Sequence, residues 1–401
     1  MATPIPLMLC NKRILLGIGG GIAAYRVAEL ARLLVKQGAE VRCVMTRSAC
    51  EFVTPLTFEA LTGNSVHTRL FDLVGDNASM GHIELARWAD AIIIAPATAG
   101  VLARIAHGIA DDLLSTIMLV SEAPVLLAPA MNHSMWSNAA TRHNTALLRE
   151  RGMHITGPAA GMLACGEEGA GRLSEPEDIL AALLPLLTPP ALAGQRWVIN
   201  AGPTAEAWDG VRILTNRASG TLGALLASQA AIMGARVTLI AGPGTPATIT
   251  DVERIPVESA DAMLAACLQA AAGATVFVGT AAVSDFRFTR PVSGKIKRGS
   301  TGQMVVELTA NPDIIATIAH MHDRPCRVIA FAAEAEKHIE HGRKKLAAKG
   351  VDAIVANDIS NMGSHAGGGW WLTPDHEAEL HSSSKQAFAD AIIHQIMKLE
   401  E

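Results

Sequence analysis

Short, nearly unbroken apolar runs recur along the chain, separated by longer stretches in which apolar positions return every three or four residues. The first run, Ile14–Ile18, leads into the glycines of "GIGGG"; Val27, Leu30, Leu33 and Leu34 then mark one face of a helix that Gly38 closes. That spacing places the apolar residues on one side of an α-helix, and a glycine just beyond it accepts the left-handed conformation that ends it. "EVRCVMT" follows as a second strand. The same order returns further on: "QRWVINAGPT" reads as a strand, "SGTLGALLASQAAIMG" as a helix and "ARVTLIAG" as the returning strand. Strand, crossover helix, strand predicts parallel pairing with helices on both faces of a sheet.

Further strands follow in each half. "DAIIIAPAT" and "PVLLAPAMN" belong to the first, and "TVFVGTAAV", "RVIAFAAE" and "DAIVAND" to the second. None alternates apolar with polar, as expected where both faces are covered. Prolines in "LLPLLTPPALAGQ" interrupt regular structure around residues 188–194, so the reading divides the chain into 1–190 and 191–401. The fold class is α/β: two consecutive three-layer domains with mainly parallel sheets, the first flavodoxin- or Rossmann-like and the second Rossmann-like.

Composition narrows the function classes. Half of the 401 residues are hydrophobic and 18% are charged, enough for two large cores. A net charge of −5, no basic stripe and 4% aromatics argue against a nucleic-acid partner. Six cysteines are scattered with no C-x-x-C pair, which fits neither a disulfide framework nor a zinc site and points to a reducing, cytoplasmic setting. "MATPIPLMLCNKR" lacks the basic start of a signal peptide. Ala262 to Ser284 carries no charge and is long enough to span a bilayer, but Gly273 divides it into an alanine-rich helix and a β-branched strand, so no membrane span is expected.

In open parallel sheets, ligands bind beyond the carboxyl ends of the strands. "GIGGGIAAYR" offers backbone amides and a helix N-terminus there, a setting that favours an anion by roughly 0.3–1 kcal/mol. The nicotinamide fingerprint would need glycine at Ala23 or Ala24 and an acidic end to the second strand, and both are missing. His82, in "SMGHIEL", carries an imidazole able to exchange a proton near neutral pH, though a lone histidine also serves as a cap. Asn132 ends "LLAPAMN" with an uncharged amide suited to a carboxylate. Cys165 lies in the glycine-rich "GPAAGMLACGEEGAGRL", which reads as a mobile flap. In the second half, "SGKIKRG" gathers Lys295, Lys297 and Arg298, Lys345 and Lys349 stand one helical turn apart, and "TNRASG" places Asn216 before a helix. A short basic run is commonly only a solvated turn.

In chain order, "GGIAAYR", "MGHIELARWAD", "APATA", "PAMN" and "ACGEEGAGRL" resemble the flavin-dependent phosphopantothenoylcysteine decarboxylases. "NAGPT", "TNRASG", "AAVSDFR", "KIKR", "NPDI", "AFAAE" and "ANDIS" are similar to phosphopantothenate–cysteine ligase. Fused in this order over essentially the whole chain, the two resemble the bifunctional family of coenzyme A biosynthesis.

The resemblance implies that CTP, with Mg²⁺, activates the carboxylate of 4′-phosphopantothenate as an acyl-cytidylate, from which cysteine displaces CMP. Asn216 would bind that intermediate. Ala281, Asp285, Lys295, Asn311, Pro312, Asp313, Ile314, Phe331, Lys345 and Lys349 would hold the nucleotide, with Lys295 also offsetting the charge of departing pyrophosphate. It implies further that FMN oxidises the product's thiol to a thioaldehyde, which makes loss of CO₂ feasible, and later reduces the ene-thiol. Gly20, Gly21, Ile22, Thr46, Ser48, Pro96, Ala97, Thr98 and Met131 would surround FMN. His82 would act as base, Asn132 would hold the substrate carboxylate, and Cys165 would donate a proton. A homo-oligomer is implied, because subunit contacts commonly complete the flavin site. Gly19, Gly100 and Asp111 depart from the pattern in the first half, and Ala205 and Thr221 in the second. These departures leave activity of one half alone as an alternative; a flavin-binding interaction protein is another, because flavoproteins similar to the first half can act by binding a partner.

Overall fold

A computed structural model describes residues 8–70, 81–162, 166–297, 304–334, 336–358, 367–382 and 384–399. The chain divides into two compact units, with the division between Pro189 and Pro190.

In the first unit, β1 (Arg13–Ile18), β2 (Glu40–Met45), β3 (Val66–His67), β4 (Ala91–Ala97), β5 (Val125–Pro129) and β6 (His154–Ile155) form one sheet in the order β3-β2-β1-β4-β5-β6. Every pair is parallel. This is the Rossmann order rather than the flavodoxin one. The chain runs outward from β1 to β3, returns beside β1 as β4, and runs outward again. Connections therefore leave β1 and β4 in opposite directions, which opens a crevice at their carboxyl ends. All seven residues of β4 are buried, the reason its sequence shows no alternation. Helices cover the sheet: α1 (Ala24–Lys36), α2 (Pro55–Thr62), α3 (Gly81–Trp88), α4 (Ala99–His107), α5 (Leu113–Val120), the short α6 (His133–Ser137), and α7 (Ala139–Glu150). Helix α1 buries Val27, Leu30 and Leu34 as its periodicity requires, and Gly38 follows it at φ +89°.

The glycine-rich stretch expected as a loosely held flap is, over its described part, an antiparallel ribbon of β7 (Ala159–Met162) and β8 (Glu168–Arg172). The amide of Met131 donates to the Gly171 carbonyl (3.0 Å), and a Cβ added at Gly169 would lie 2.9 Å from the ring of His133. Its glycines serve close packing against the end of β5. Helix α8 (Pro176–Leu183) completes the unit.

The second unit opens with β9 (Arg196–Ala201), the small ribbon β10 (Ala205–Ala207) and β11 (Ile213–Thr215), then α9 (Thr221–Ile232), β12 (Arg236–Ala241), β13 (Glu253–Pro256) and α10 (Ala260–Ala271). Next come β14 (Val276–Gly279), a second ribbon of β15 (Phe286–Phe288) and β16 (Leu308–Ala310), α11 (Ile314–Ala319), β17 (Arg327–Glu334), α12 (His338–Lys349) and β18 (Ala353–Asp358). The hairpin β19 (Gly367–Leu372) and β20 (Glu377–Ser382) precedes α13 (Lys385–Lys398). The eight-stranded sheet runs β13-β12-β9-β14-β17-β18-β19-β20, parallel as far as β18 and antiparallel beyond. Its switch point lies between β9 and β14.

The uncharged stretch that is long enough to span a bilayer is α10, then Gly273 at φ +68°, then buried β14. Among the described residues no helix is long and apolar enough to cross a membrane.

Candidate active sites

Three loops meet where β1, β2 and β4 end. An ideal Cβ at Gly20 would lie 2.2 Å from Ser48 Cβ, and one at Gly19 would lie 2.3 Å from the Pro96 carbonyl oxygen. Neither position accepts a side chain unless the facing loop moves. Gly19, one of the departures from the pattern, lets the turn close on the end of β4. The glycines also keep the turn free of side chains beside a cavity of about 620 Å³. Of the residues singled out in the sequence, Gly20, Gly21, Ile22, Thr98, Met131 and Asn132 line it. Thr98 is at the same time the N-cap of α4, accepting the Val101 amide at 3.4 Å.

Thr46, Ser48, Pro96 and Ala97 stand behind this lining. Thr46 is buried and its hydroxyl accepts from the Ala49 amide (3.2 Å). Ser48 backs Gly20, Pro96 backs Gly19, and Ala97 pairs with Pro129 at the end of the sheet. His82 is half-buried on the first turn of α3, which packs on α5, and it is not among the residues that line the cavity. Cys165 lies outside the described residues.

Asn132 is fixed on both sides. Its Oδ1 accepts from the Ser134 amide (2.8 Å), capping α6, and its Nδ2 donates to the Glu167 carboxylate (2.7 Å). Chain geometry has therefore oriented its amide N–H toward a carboxylate oxygen. Sequence reasoning assigned no role to Tyr25, Arg26, Met135, Met162 or Arg172, all of which also line the cavity. Arg26 pairs with Glu175 and donates to the Leu173 carbonyl (3.3 Å). The "YR" that follows the glycine turn was the available signal. The other two departures concern α4: Gly100 has only Arg104 within reach of an added Cβ (3.7 Å), and Asp111 pairs with Arg104 at 3.0 Å.

The second unit holds a cavity of about 260 Å³ beyond the ends of β14, β17 and β18 and the start of α9. Of the expected residues, Ala281 and Phe331 line it, together with Ser219, Thr221, Thr280 and Asn357. An added Cβ at Gly223 would lie 2.4 Å from Ala201 Cβ, so this glycine lets α9 lie directly on β9. Asn216 borders the cavity, donating through Nδ2 to the Ala282 carbonyl (2.9 Å). Of the two departures here, Ala205 is buried in β10 and Thr221 opens α9, its hydroxyl 2.9 Å from that of Ser219.

The remaining expected residues stand outside this lining. Asn311 bonds the segment at Asp285: its amide donates to the Asp285 carbonyl and its Nδ2 to the Ser284 carbonyl, each at 2.8 Å. Asn311 Oδ1 and Ser284 Oγ are buried oxygens with no hydrogen-bond partner among the described residues. Pro312 leads into Asp313, which caps α11 by accepting the Ala316 amide (3.0 Å) and pairs with Lys349 (2.9 Å). Burial pushes the Asp313 carboxyl up, but the Ala316 amide and Lys349 more than offset it, so it sits below the usual carboxylate range. Ile314 is buried in the core, whereas Lys345 and Lys295 are exposed. Lys297 is described and exposed; Arg298 is outside the described residues.

Lys385, the first residue of α13, lines the second cavity and was not anticipated. It is the single charged side chain among the described residues lining it, and burial pushes its ammonium below the ordinary lysine range. A run of serines before an apolar helix reads only as a cap, which hides it.

Comparison with known proteins follows the same division. A family described as "Flavoprotein" matches residues 4–188, and "DNA/pantothenate metabolism flavoprotein C-terminal domain" matches residues 192–399. The chain is 44% identical over 398 residues to the coenzyme A biosynthesis bifunctional protein CoaBC of Vibrio parahaemolyticus, covering 98% of this chain and 99% of that one. It is 43% identical over 357 residues to CoaBC of Escherichia coli, 88% of each chain. A crystal structure of the C-terminal domain of CoaBC is 34% identical and covers 52% of this chain and 97% of its own, with a TM-score of 0.44. With identity of this order along nearly its full length, the chain belongs to the CoaBC family, bifunctional enzymes of coenzyme A biosynthesis that join a flavoprotein decarboxylase to a ligase.

Proposed function

We propose that the second unit joins 4′-phosphopantothenate to cysteine with CTP, and that the first decarboxylates the resulting phosphopantothenoylcysteine with FMN. The observation that carries this reading is the cavity at the β1/β4 switch point, where glycines that admit no side chain adjoin an oriented Asn132 amide. A turn of backbone amides before α1 suits a flavin phosphate, and the cavity's apolar wall suits a ring.

Gly20, Gly21, Ile22, Thr98 and Met131 would hold the flavin, with Thr46, Ser48, Pro96 and Ala97 supporting them. Bound there, it supplies the two-electron oxidation and reduction that make loss of CO₂ feasible. The chain's own part is binding and proton movement. Asn132 Nδ2 donates to the substrate carboxylate in place of Glu167, His82 removes a proton, and Cys165 Sγ returns one. A positioned proton-transfer group contributes about 10²–10⁴-fold. His82 lies outside the cavity lining of its own chain, while Ile22, Tyr25, Met135 and Met162 stand exposed around it. These features support a homo-oligomer in which a second copy completes the site.

In the ligase reaction, the substrate carboxylate does not accept an amine until it carries a leaving group. Attack on CTP forms the acyl-cytidylate and releases pyrophosphate; cysteine then displaces CMP. Lys295 offsets charge on the departing pyrophosphate, Asn216 holds the acyl-cytidylate, and Ala281, Asp285, Asn311, Pro312, Asp313, Ile314, Phe331, Lys345 and Lys349 form the CTP site. Mg²⁺ in this reading arrives on the triphosphate, since no three His, Cys, Asp or Glu side chains gather as a metal site among the described residues. The scattered cysteines, with no C-x-x-C pair, support a reducing, cytoplasmic setting.

The test is an assay with 4′-phosphopantothenate, cysteine, CTP and Mg²⁺, following pyrophosphate and CO₂ separately, on protein whose visible spectrum has been recorded. Both products and a flavin band are expected. Pyrophosphate without CO₂ would remove the decarboxylase reading, and a colourless protein would remove FMN.

A further inference from the structure

Asp209 sits on the turn that joins β10 to β11, and its side chain is fully buried (0% exposed). A carboxylate leaves water at a cost unless hydrogen bonds replace the lost solvent. Here it accepts from the amides of Val211 (2.9 Å) and Arg212 (2.8 Å), from Arg212 Nε (3.0 Å) and Nη2, and from the amide of Ile296 (3.1 Å). The first four donors are local. The last belongs to the segment that carries Lys295.

The same segment is held at further points. Arg212 Nη2 donates to the Ile296 carbonyl (3.0 Å), the Gly210 amide to the Gly294 carbonyl (3.3 Å), and the Val292 amide to the Trp208 carbonyl (3.1 Å). A Cβ at Gly210 would lie 2.6 Å from the Ser293 carbonyl oxygen, so the two segments touch along their backbones. Arg212 lies over the Trp208 ring at 3.9 Å, and Trp208 stacks on Phe288 of β15 at 5.6 Å. Both chain neighbours of Lys295 are thereby tied down while its own side chain stays exposed.

We propose that Asp209 is the positioning residue for Lys295: it fixes the backbone at Gly294–Ile296 so that the ammonium is presented to the nucleotide from a set origin. The proposal rests on reading Lys295 as the cation that meets CTP. Lysine is a compact charge on a flexible stem, so where the stem is rooted decides how much freedom is lost when it meets a phosphate. A hydrophobic turn could bury this corner equally well. A buried carboxylate aimed at a backbone amide across 87 residues of sequence holds one chosen segment.

The test is a binding cycle on the full-length chain, titrating Mg²⁺–CTP by calorimetry. Asp209→Asn turns an NH₂ toward donors, and Ile296→Pro removes one amide while leaving Asp209 and Arg212 intact. Each should weaken CTP binding about tenfold, one lost charge-assisted contact. Lys295→Gln should weaken it by a similar factor, and Asp209→Asn should add nothing on the Lys295→Gln background. Wild-type affinity in Asp209→Asn, or losses that multiply in the double variant as general unfolding would make them, would overturn the proposal. A wild-type chain that ignored CTP would instead overturn the nucleotide reading, and this inference with it.

Discussion

The two cavities occupy equivalent places, each beyond the carboxyl edge of a parallel sheet at its switch point, yet they are built differently. The first measures about 620 Å³, and six of the residues expected there line it directly. The second measures about 260 Å³, and only Ala281 and Phe331 of the expected residues line it. In the first unit, the site consists of backbone turns locked by the strands they end. In the second, most of the residues proposed for CTP stand outside the cavity lining, on the 292–296 segment, the turn before α11 and α12, and two of them, Asp313 and Lys349, already pair with each other. A site of backbone is complete once the sheet forms; a site built on lysines, as proposed for the second unit, depends on ions that neutralise them.

The largest expected effect tests the first half of this contrast. Gly20→Val would drive a side chain into Ser48, whose Cβ already lies 2.2 Å from an ideal Cβ. Overpacking of this kind costs about 3 kcal/mol. The purified variant should lose its flavin band and unfold its first unit at lower temperature, while CTP titration of the second unit stays as in the wild type. Retention of full flavin would mean that the turn does not define the site.

Next in size is Asn132→Asp. The backbone cap on α6 survives, because a carboxylate oxygen still accepts from Ser134, but the other oxygen now faces Glu167 and, in the proposed role, would face the substrate carboxylate. Like charges at such range cost several kcal/mol, so CO₂ release should fall on the order of 100-fold. The visible spectrum should be unchanged and pyrophosphate release intact. Parallel loss of flavin would shift Asn132 from substrate to cofactor.

What could be read in the sequence follows the same division. Continuous apolar strands such as Ala91–Ala97, and a helix such as Ala24–Lys36 closed by Gly38, declare themselves through burial on two faces or one. Glycines that end strands point to the crevice because only backbone geometry is at stake. The hairpin Gly367–Ser382 was not legible: three glycines break its alternation, although it buries Trp371. Val66–His67 and His154–Ile155 are too short to show a period. Asp209 and Lys385 were missed for a different reason. Their importance lies in partners far along the chain, and an aspartate in a turn or a lysine at a helix start looks ordinary by itself.

A smaller effect is expected at Lys385, which tests whether the second cavity takes an anion. Lys385→Met removes the one charge among its described lining and should weaken binding of Mg²⁺–CTP or of 4′-phosphopantothenate about tenfold; the two titrations show which. Burial disfavours the charged ammonium, so its pKa is lowered and the cation is lost, as pH rises, earlier than from an ordinary lysine. Affinity for the anion should therefore decline on the alkaline side in the wild type. Lys385→Arg should hold it to higher pH. A flat profile shared by both would exclude Lys385 from ligand binding.

The smallest effect belongs to the pair Asp313–Lys349, where the contrast between backbone and side-chain construction is sharpest. Lys349→Ala should cost the second unit only about 0.5 kcal/mol, because the Asp313 side chain is 47% exposed and water screens the attraction. The sign of its pH dependence is set by Asp313, whose carboxyl is held below its unfolded value: stability from the pair is present above the unfolded carboxylate range and lost as pH falls through the folded value. Wild type and variant should differ in thermal stability at neutral pH and converge in acid, and high salt should narrow the gap. CTP binding separates structure from function at the same residue. With Asp313 and Lys349 both in the CTP site, Asp313→Asn should weaken CTP binding, whereas tighter binding in that variant would show that Asp313 only withholds Lys349 from the nucleotide.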